Sequence, residues 1–126
     1  ESGFQPVGSR QGEALLSKPF RRAASPHFLP VRLVPRAAED RIPVDFFHCP
    51  QCPYSGWVLH KLQREGQLDA PDVDLRLYDI GERQAIELWG VSNSVYIDGR
   101  PIGSVPLNLL EIEQGLAQAR AARRPA

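Results

Sequence analysis

Val44-Asp45-Phe46-Phe47-His48-Cys49-Pro50-Gln51-Cys52-Pro53-Tyr54 is the stretch on which the fold turns. Its first five residues are rich in β-branched and aromatic side chains and read as a short buried strand. The residues after Cys52 read as a helix. Cys49 and Cys52 are the two cysteines of the chain, and they fall where strand gives way to helix. Free amides and the dipole at a helix N-terminus stabilise a thiolate, which predicts that Cys49 is the better nucleophile near neutral pH. Cys52, one helical turn later, is expected within reach of a mixed disulfide formed on Cys49.

Outward from this junction the pattern is regular. The helix is expected over about 54–65, with Tyr54, Val58 and Leu62 on one face and Trp57 and Leu59 at its edges. Gly66 is its stop. After Asp69-Ala70-Pro71, residues 73–78 alternate apolar and charged, the mark of a half-exposed strand. A second helix is expected over about 82–89, with Ala85, Ile86 and Trp89 as its buried side and Gly90 as its end. In Val95-Tyr96-Ile97-Asp98-Gly99-Arg100-Pro101-Ile102 the Asp-Gly pair predicts a two-residue hairpin turn with positive φ at both positions. Pro101 cannot donate a ladder bond, so its strand should be a sheet edge. The last helix is expected to start near Pro106 and to carry Leu109, Leu110, Ile112 and Leu116, with Arg120, Arg123 and Arg124 where its dipole favours cations. The order βαβαββα implies one parallel crossover pair and an antiparallel edge.

Upstream of Pro43 the character changes. Phe4-Gln5-Pro6-Val7 and Ala14-Leu15-Leu16-Ser17-Lys18-Pro19-Phe20, separated by the turn-prone 8–12 stretch, suit a hairpin. Residues 21–40 hold Pro26, Pro30 and Pro35 and several arginines, which predicts an extended, linker-like path that packs on something else or moves. The division is therefore 1–41 as an extended N-terminal segment, 42–120 as an α/β domain with a mixed four-stranded sheet, and 121–126 as a tail.

The 126 residues suffice for one ordinary domain with a core and some extra. Hydrophobic residues make up 42% and charged residues 24% of the chain, as in soluble globular proteins. The formal net charge is zero, which argues against nucleic acid or an anionic membrane as partner. No apolar run approaches the roughly 18 residues that span a bilayer. No basic region followed by an apolar core marks a signal peptide. A cytoplasmic location is the expectation, and there a lone Cys-x-x-Cys is more often redox-active or metal-binding than a structural disulfide. Methionine is absent, and the chain begins Glu1-Ser2-Gly3-Phe4. A fragment, a processed product or a trimmed chain is expected.

Cys-Pro-Gln-Cys-Pro-Tyr-Ser at 49–55 and the closing hairpin and helix make residues 42–118 resemble a glutaredoxin-type member of the thioredoxin superfamily. The resemblance implies a thioredoxin-like fold and thiol–disulfide exchange, with Cys49 as nucleophile and Cys52 as resolving thiol. The expected partner is a protein or small-molecule thiol or disulfide. In that superfamily a cis-proline loop faces the cysteines; the equivalent Val91-Ser92-Asn93-Ser94-Val95 contains no proline. Tyr54 and Ser94 are the substrate-binding candidates.

A second resemblance reaches further back. Glu1-Ser2-Gly3-Phe4-Gln5-Pro6-Val7 and Ala14–Phe20 look like the closing strands of a GNAT-family N-acetyltransferase. Cys52-Pro53-Tyr54, residues 74–78 and Val95–Pro101 are similar to the YoaP-like C-terminal domain found behind some of these enzymes. This implies an upstream acetyltransferase domain and a docking or substrate-recognition role for the module. No basic residue or Gln followed by spaced glycines occurs to hold a pyrophosphate, so this chain alone is not expected to bind acetyl-CoA or any other cofactor.

The residues themselves leave alternatives open. The cysteine pair is a redox dithiol, an inherited pair without turnover, or a two-thiolate site for copper(I) or mercury. A closed zinc site wants four ligands, and only one pair is organised, so no resident metal is expected. His48 is read as a solvent-facing edge residue, His60 as surface, and His27 as unpartnered. Tyr54, Trp57, Trp89 and Tyr96 read as core or rim aromatics. Asp45 is read as facing solvent rather than as a buried proton-transfer group. Arg21, Arg22, Arg32 and Arg36 read as a solvated linker.

Overall fold

In the computed structural model, residues 3–10, 12–22, 24–32, 40–103 and 107–124 are described. The elements in chain order are β1 (Gln5–Arg10), β2 (Glu13–Ser17), β3 (Ile42–His48), α1 (Pro53–Arg64), β4 (Val73–Asp79), α2 (Arg83–Trp89), β5 (Ser94–Ile97), β6 (Arg100–Pro101) and α3 (Leu109–Arg123). From β3 onward this is the expected βαβαββα order. The four-stranded sheet runs β4-β3-β5-β6, with β3 parallel to β4 and antiparallel to β5. This central parallel crossover with a closing antiparallel hairpin is the thioredoxin-like fold.

Strand β3 is central, and that explains its composition. Six of its seven residues are buried, as a strand covered on both faces requires. One face meets α1 and α3 through Ile42, Val44, Phe46, Val58, Leu62, Val95, Ile112 and Leu116. The other meets α2 through Phe47, Ile80, Val91 and Tyr96, with Cys49, Tyr78, Ala85 and Trp89 packed on them. Burying Phe47 is worth about 2–3 kcal/mol, and its ring stacks on Tyr78 at 4.6 Å.

The Asp98-Gly99 turn has positive φ at both positions, 53° and 72°, and pairs Ile97 with Arg100. Pro101 lies on β6, the sheet edge, as its missing N–H requires. The helix faces differ in detail from the sequence pattern. The inward stripe of α1 is Ser55, Val58 and Leu62, so Tyr54 and Trp57 point outward at 44% and 50% exposure. Ile86 of α2 is also exposed, as is Leu110 of α3. Helix α3 buries Ile112, Gly115, Leu116 and Ala119 and continues to Arg123. Pro106, the expected start, lies outside the described residues.

The N-terminal hairpin is present as a separate two-stranded antiparallel sheet. Strand β1 runs through Gly8, with a register shift between Pro6 and Gly8, so the reversal falls between Arg10 and Glu13 rather than across 8–12. The described part of 21–32 has no helix or strand, as its prolines dictate. It is not free of the domain: Arg32 N–H donates to Trp89 O at 2.9 Å. Arg21, Arg22 and Arg32 are exposed; Pro35 and Arg36 lie outside the described residues.

Candidate functional site

Strand β3 ends at His48, and the next four residues form a turn rather than the first turn of the helix. Cys52 N–H donates to Cys49 O at 3.0 Å, and Gly56 N–H donates to Cys52 O at 3.3 Å. Helix α1 therefore starts at Pro53, with Cys52 as its N-cap. The physical reason is Pro53: it lacks an N–H and suits the first helical position. The helix starts one residue before the expected 54, and the cysteine pair lies at the junction of strand and helix. Cys52 holds the N-cap without a side-chain cap hydrogen bond, and Cys49 precedes it on the turn. Both are free thiols of intermediate exposure.

Cys49 is fixed from two sides. Its carbonyl closes the turn to Cys52, and its N–H donates to Asn93 Oδ1 at 3.0 Å. Asn93 lies in the loop between α2 and β5, the same loop in which the sequence offers no proline. Ser94, the candidate beside it, is 9% exposed, and its hydroxyl donates to Ser92 O at 2.8 Å. The side chain of this loop that reaches the cysteine turn is thus Asn93. Sequence reading passed over it because it looked for a proline, and a lone Asn in a Ser-Asn-Ser loop reads as turn chemistry.

The other candidates are placed as follows. Tyr54 stacks on Trp57 with ring centroids 5.8 Å apart, and Lys61 Nζ lies 5.4 Å from the Trp57 ring. The pair is an exposed aromatic platform on the outer face of α1, starting two residues after Cys52. His48 does not face solvent at an edge. It shares the α1 side of β3 with Phe46 and is half-buried, its Nε2 3.8 Å from where a Cβ on Gly56 would stand. His60 is exposed. His27 lines a cleft with Arg10, Glu13, Ser92 and Tyr96. Burial raises the Tyr96 hydroxyl above its ordinary pKa, and the Arg10 charge partly offsets this.

Asp45 is a second correction. It is 0% exposed, on the same face of β3 as Phe47, and its Oδ1 accepts from Tyr78 Oη at 3.0 Å. Central placement of β3 covers both of its faces, so Asp45 has no solvent side. Phe47, Tyr78, Trp89 and Tyr96 form an aromatic cluster on this side of the sheet, and Cys49 packs against it.

Among the described residues, no cluster of three or more His, Cys, Asp or Glu converges to hold a metal. Among them, too, no helix is long and apolar enough to cross a membrane.

No family model matches the chain, and no curated protein matches it. Among solved structures it is similar to a designed protein, at 24% identity and a TM-score of 0.45, over 68% of this chain and 81% of that one. It is also similar to glutaredoxin 1 from Francisella tularensis complexed with cacodylate, at 13% identity and a TM-score of 0.41, over 64% of this chain and 98% of that one. The fold assignment rests on strand order and helix placement. Neither comparison touches the acetyltransferase resemblance.

Proposed function

We propose that this chain is a dithiol module for thiol–disulfide exchange. The observation that carries the reading is the closed Cys49–Cys52 turn between β3 and α1, with both thiols free and neither fully buried. In the reaction, the Cys49 thiolate attacks a substrate disulfide RS–SR′. The Cys49–SR bond forms, and R′S⁻ leaves. The Cys52 thiolate then attacks the Cys49 sulfur, forming the Cys49–Cys52 disulfide and releasing RS⁻. The two leaving thiolates take up the protons given up by the two cysteines. The substrate gains two electrons, and an external thiol returns the module to its dithiol form. Cys52 suits the resolving step because the turn holds its N–H on the Cys49 carbonyl at 3.0 Å, beside the first thiol. The Tyr54–Trp57 platform beside it suits a protein substrate whose cysteine is flanked by apolar residues.

Reaction with oxidised glutathione tests the reading. The wild-type chain should end as an intramolecular disulfide, two hydrogens lighter. Cys52→Ser should stop at a glutathione adduct on Cys49. Two stable adducts on the wild-type chain, with no internal disulfide, would overturn it.

A second reading is favoured by one observation. Strands β1 and β2 form a sheet of their own, paired with each other and not with the main sheet, and a two-stranded sheet leaves both of its edges open to a further strand. The acetyltransferase-like residues lie in this hairpin. On this reading it completes the sheet of a neighbouring GNAT-type domain, and the thioredoxin-like part is a docking or recognition appendage. A glycine-spaced pyrophosphate loop in the upstream reading frame is the expected finding. An initiator codon directly before Glu1 would overturn it.

A further inference from the structure

The N-terminal arm and the cysteine turn meet at one short loop. Arg32 N–H donates to Trp89 O at 2.9 Å. Arg10 Nη1 donates to Gly90 O at 2.9 Å, and its Nη2 donates to Leu29 O. The same guanidinium lies 4.8 Å over the Phe28 ring. Gly90, at φ 69°, lies so close under the arm that a Cβ there would stand 1.9 Å from Pro30 O. Three residues further on, Asn93 Oδ1 accepts from Cys49 N–H at 3.0 Å. The segment that reads as a proline-rich linker is therefore tied to the C-terminal end of α2, and the loop leaving that end is tied to the first cysteine.

We propose that Asn93 is a positioning residue for Cys49, and that the arm, through Arg10 and residues 30–32, holds the loop that carries it. The inference rests on the dithiol reading given above. Its physical content is the freedom of the open turn. Closing a disulfide needs Cα atoms about 4.4–6.8 Å apart and a narrow range of torsions. With Cys49 held at its N–H by Asn93 and at its carbonyl by Cys52, the dithiol form has little freedom left to lose on closure. Without the Asn93 acceptor the turn samples more arrangements, Cys52 meets the Cys49 sulfur less often, and the internal disulfide becomes less favourable relative to the dithiol. Arg10 makes no contact with either cysteine among the interactions described, so any effect it has on closure travels through Gly90 and the 91–93 loop.

The experiment is equilibration of the full chain with mixtures of reduced and oxidised glutathione. In this reaction one oxidised glutathione becomes two reduced ones as Cys49 and Cys52 join. Asn93→Leu keeps the size and removes the acceptor; Asn93→Asp keeps an acceptor oxygen in place. The expected result is an equilibrium constant about five-fold lower for Asn93→Leu, within about two-fold of wild type for Asn93→Asp, and about two-fold lower for Arg10→Ala. Unchanged equilibrium in Asn93→Leu, whatever its melting temperature, overturns the role of Asn93. A lowered constant in Asn93→Leu with none in Arg10→Ala overturns the role of the arm. If the wild-type chain forms no internal disulfide at all, the dithiol reading falls. The ratio of iodoacetamide alkylation rates at Cys49 and Cys52 then decides the positioning claim. A ratio changed by Asn93→Leu and restored by Asn93→Asp supports it, and an unchanged ratio overturns it.

Discussion

Asp45 is 0% exposed between Val44 and Phe46, and Tyr78 Oη donates to its Oδ1 at 3.0 Å. A carboxylate in the centre of a sheet persists only when hydrogen-bonded, because leaving a buried acceptor short of a donor costs about 1–3 kcal/mol. Tyr78→Phe should therefore lower the urea-unfolding free energy by about that amount. Asp45→Asn should cost less, because the amide oxygen still accepts from Tyr78. If Tyr78→Phe unfolds at the wild-type urea midpoint, the bond adds nothing to stability. In the sequence Asp45 is one charge in a five-residue apolar run, and nothing local distinguishes a buried partner of a distant tyrosine from a solvent-facing residue. The Tyr78 partner lies 33 residues away, so only the parallel register of β3 and β4 reveals it. Cys49 and Cys52 were legible because their spacing is local. Asn93 was not, because its partner is 44 residues away.

The elements follow their local signals closely and their faces less so. Asp98-Gly99 was readable as a tight turn because the pair suits two successive positive φ angles. Gly99→Val forces a β-branched side chain into that region and should destabilise by about 1–3 kcal/mol. A melting temperature equal to wild type would count against the turn geometry. On α1, spacing placed Tyr54 in the same stripe as Val58 and Leu62, but the inward residue of the first turn is Ser55. The apolar pattern is ambiguous there because Tyr54 and Trp57 are large and apolar yet face outward, stacked on each other with Lys61 over the Trp57 ring. An outward aromatic pair adds little to folding. Trp57→Ala should change unfolding free energy by no more than about 0.5–1 kcal/mol. The same substitution should slow reduction of a peptide disulfide flanked by aromatic residues several-fold while leaving oxidised glutathione unaffected. Equal slowing of both substrates would remove the platform from substrate recognition.

At the scale of the molecule, α3 is tied to the sheet by two ion pairs near its C-terminal end. Arg120 pairs with Asp72, just before β4, at 2.7 Å, and Arg123 pairs with Asp98, in the hairpin turn, at 2.6 Å. Each arginine holds its carboxyl below the ordinary range, chiefly through the side-chain hydrogen bond, with burial opposing. A carboxyl whose folded value is depressed binds its proton less readily folded than unfolded. Its contribution is therefore complete above the unfolded value, near pH 4, and is lost as pH falls through the folded value. Both pairs are partly exposed, so solvent limits each to about 0.5 kcal/mol. Asp72→Asn should lower stability by about that much at pH 7 and by progressively less below pH 4, so the two unfolding curves converge in acid. Raising salt to about 1 M, where the screening length is about 3 Å, should narrow the gap at pH 7 as well. A gap that stays constant from pH 7 to pH 3 would mean that Asp72 acts through packing. The charge pattern alone could not place these pairs, because the arginines near the end of α3 read as partners of its own dipole. The fold turns Arg120 and Arg123 instead toward Asp72 and Asp98, which the sheet brings to that end of the helix.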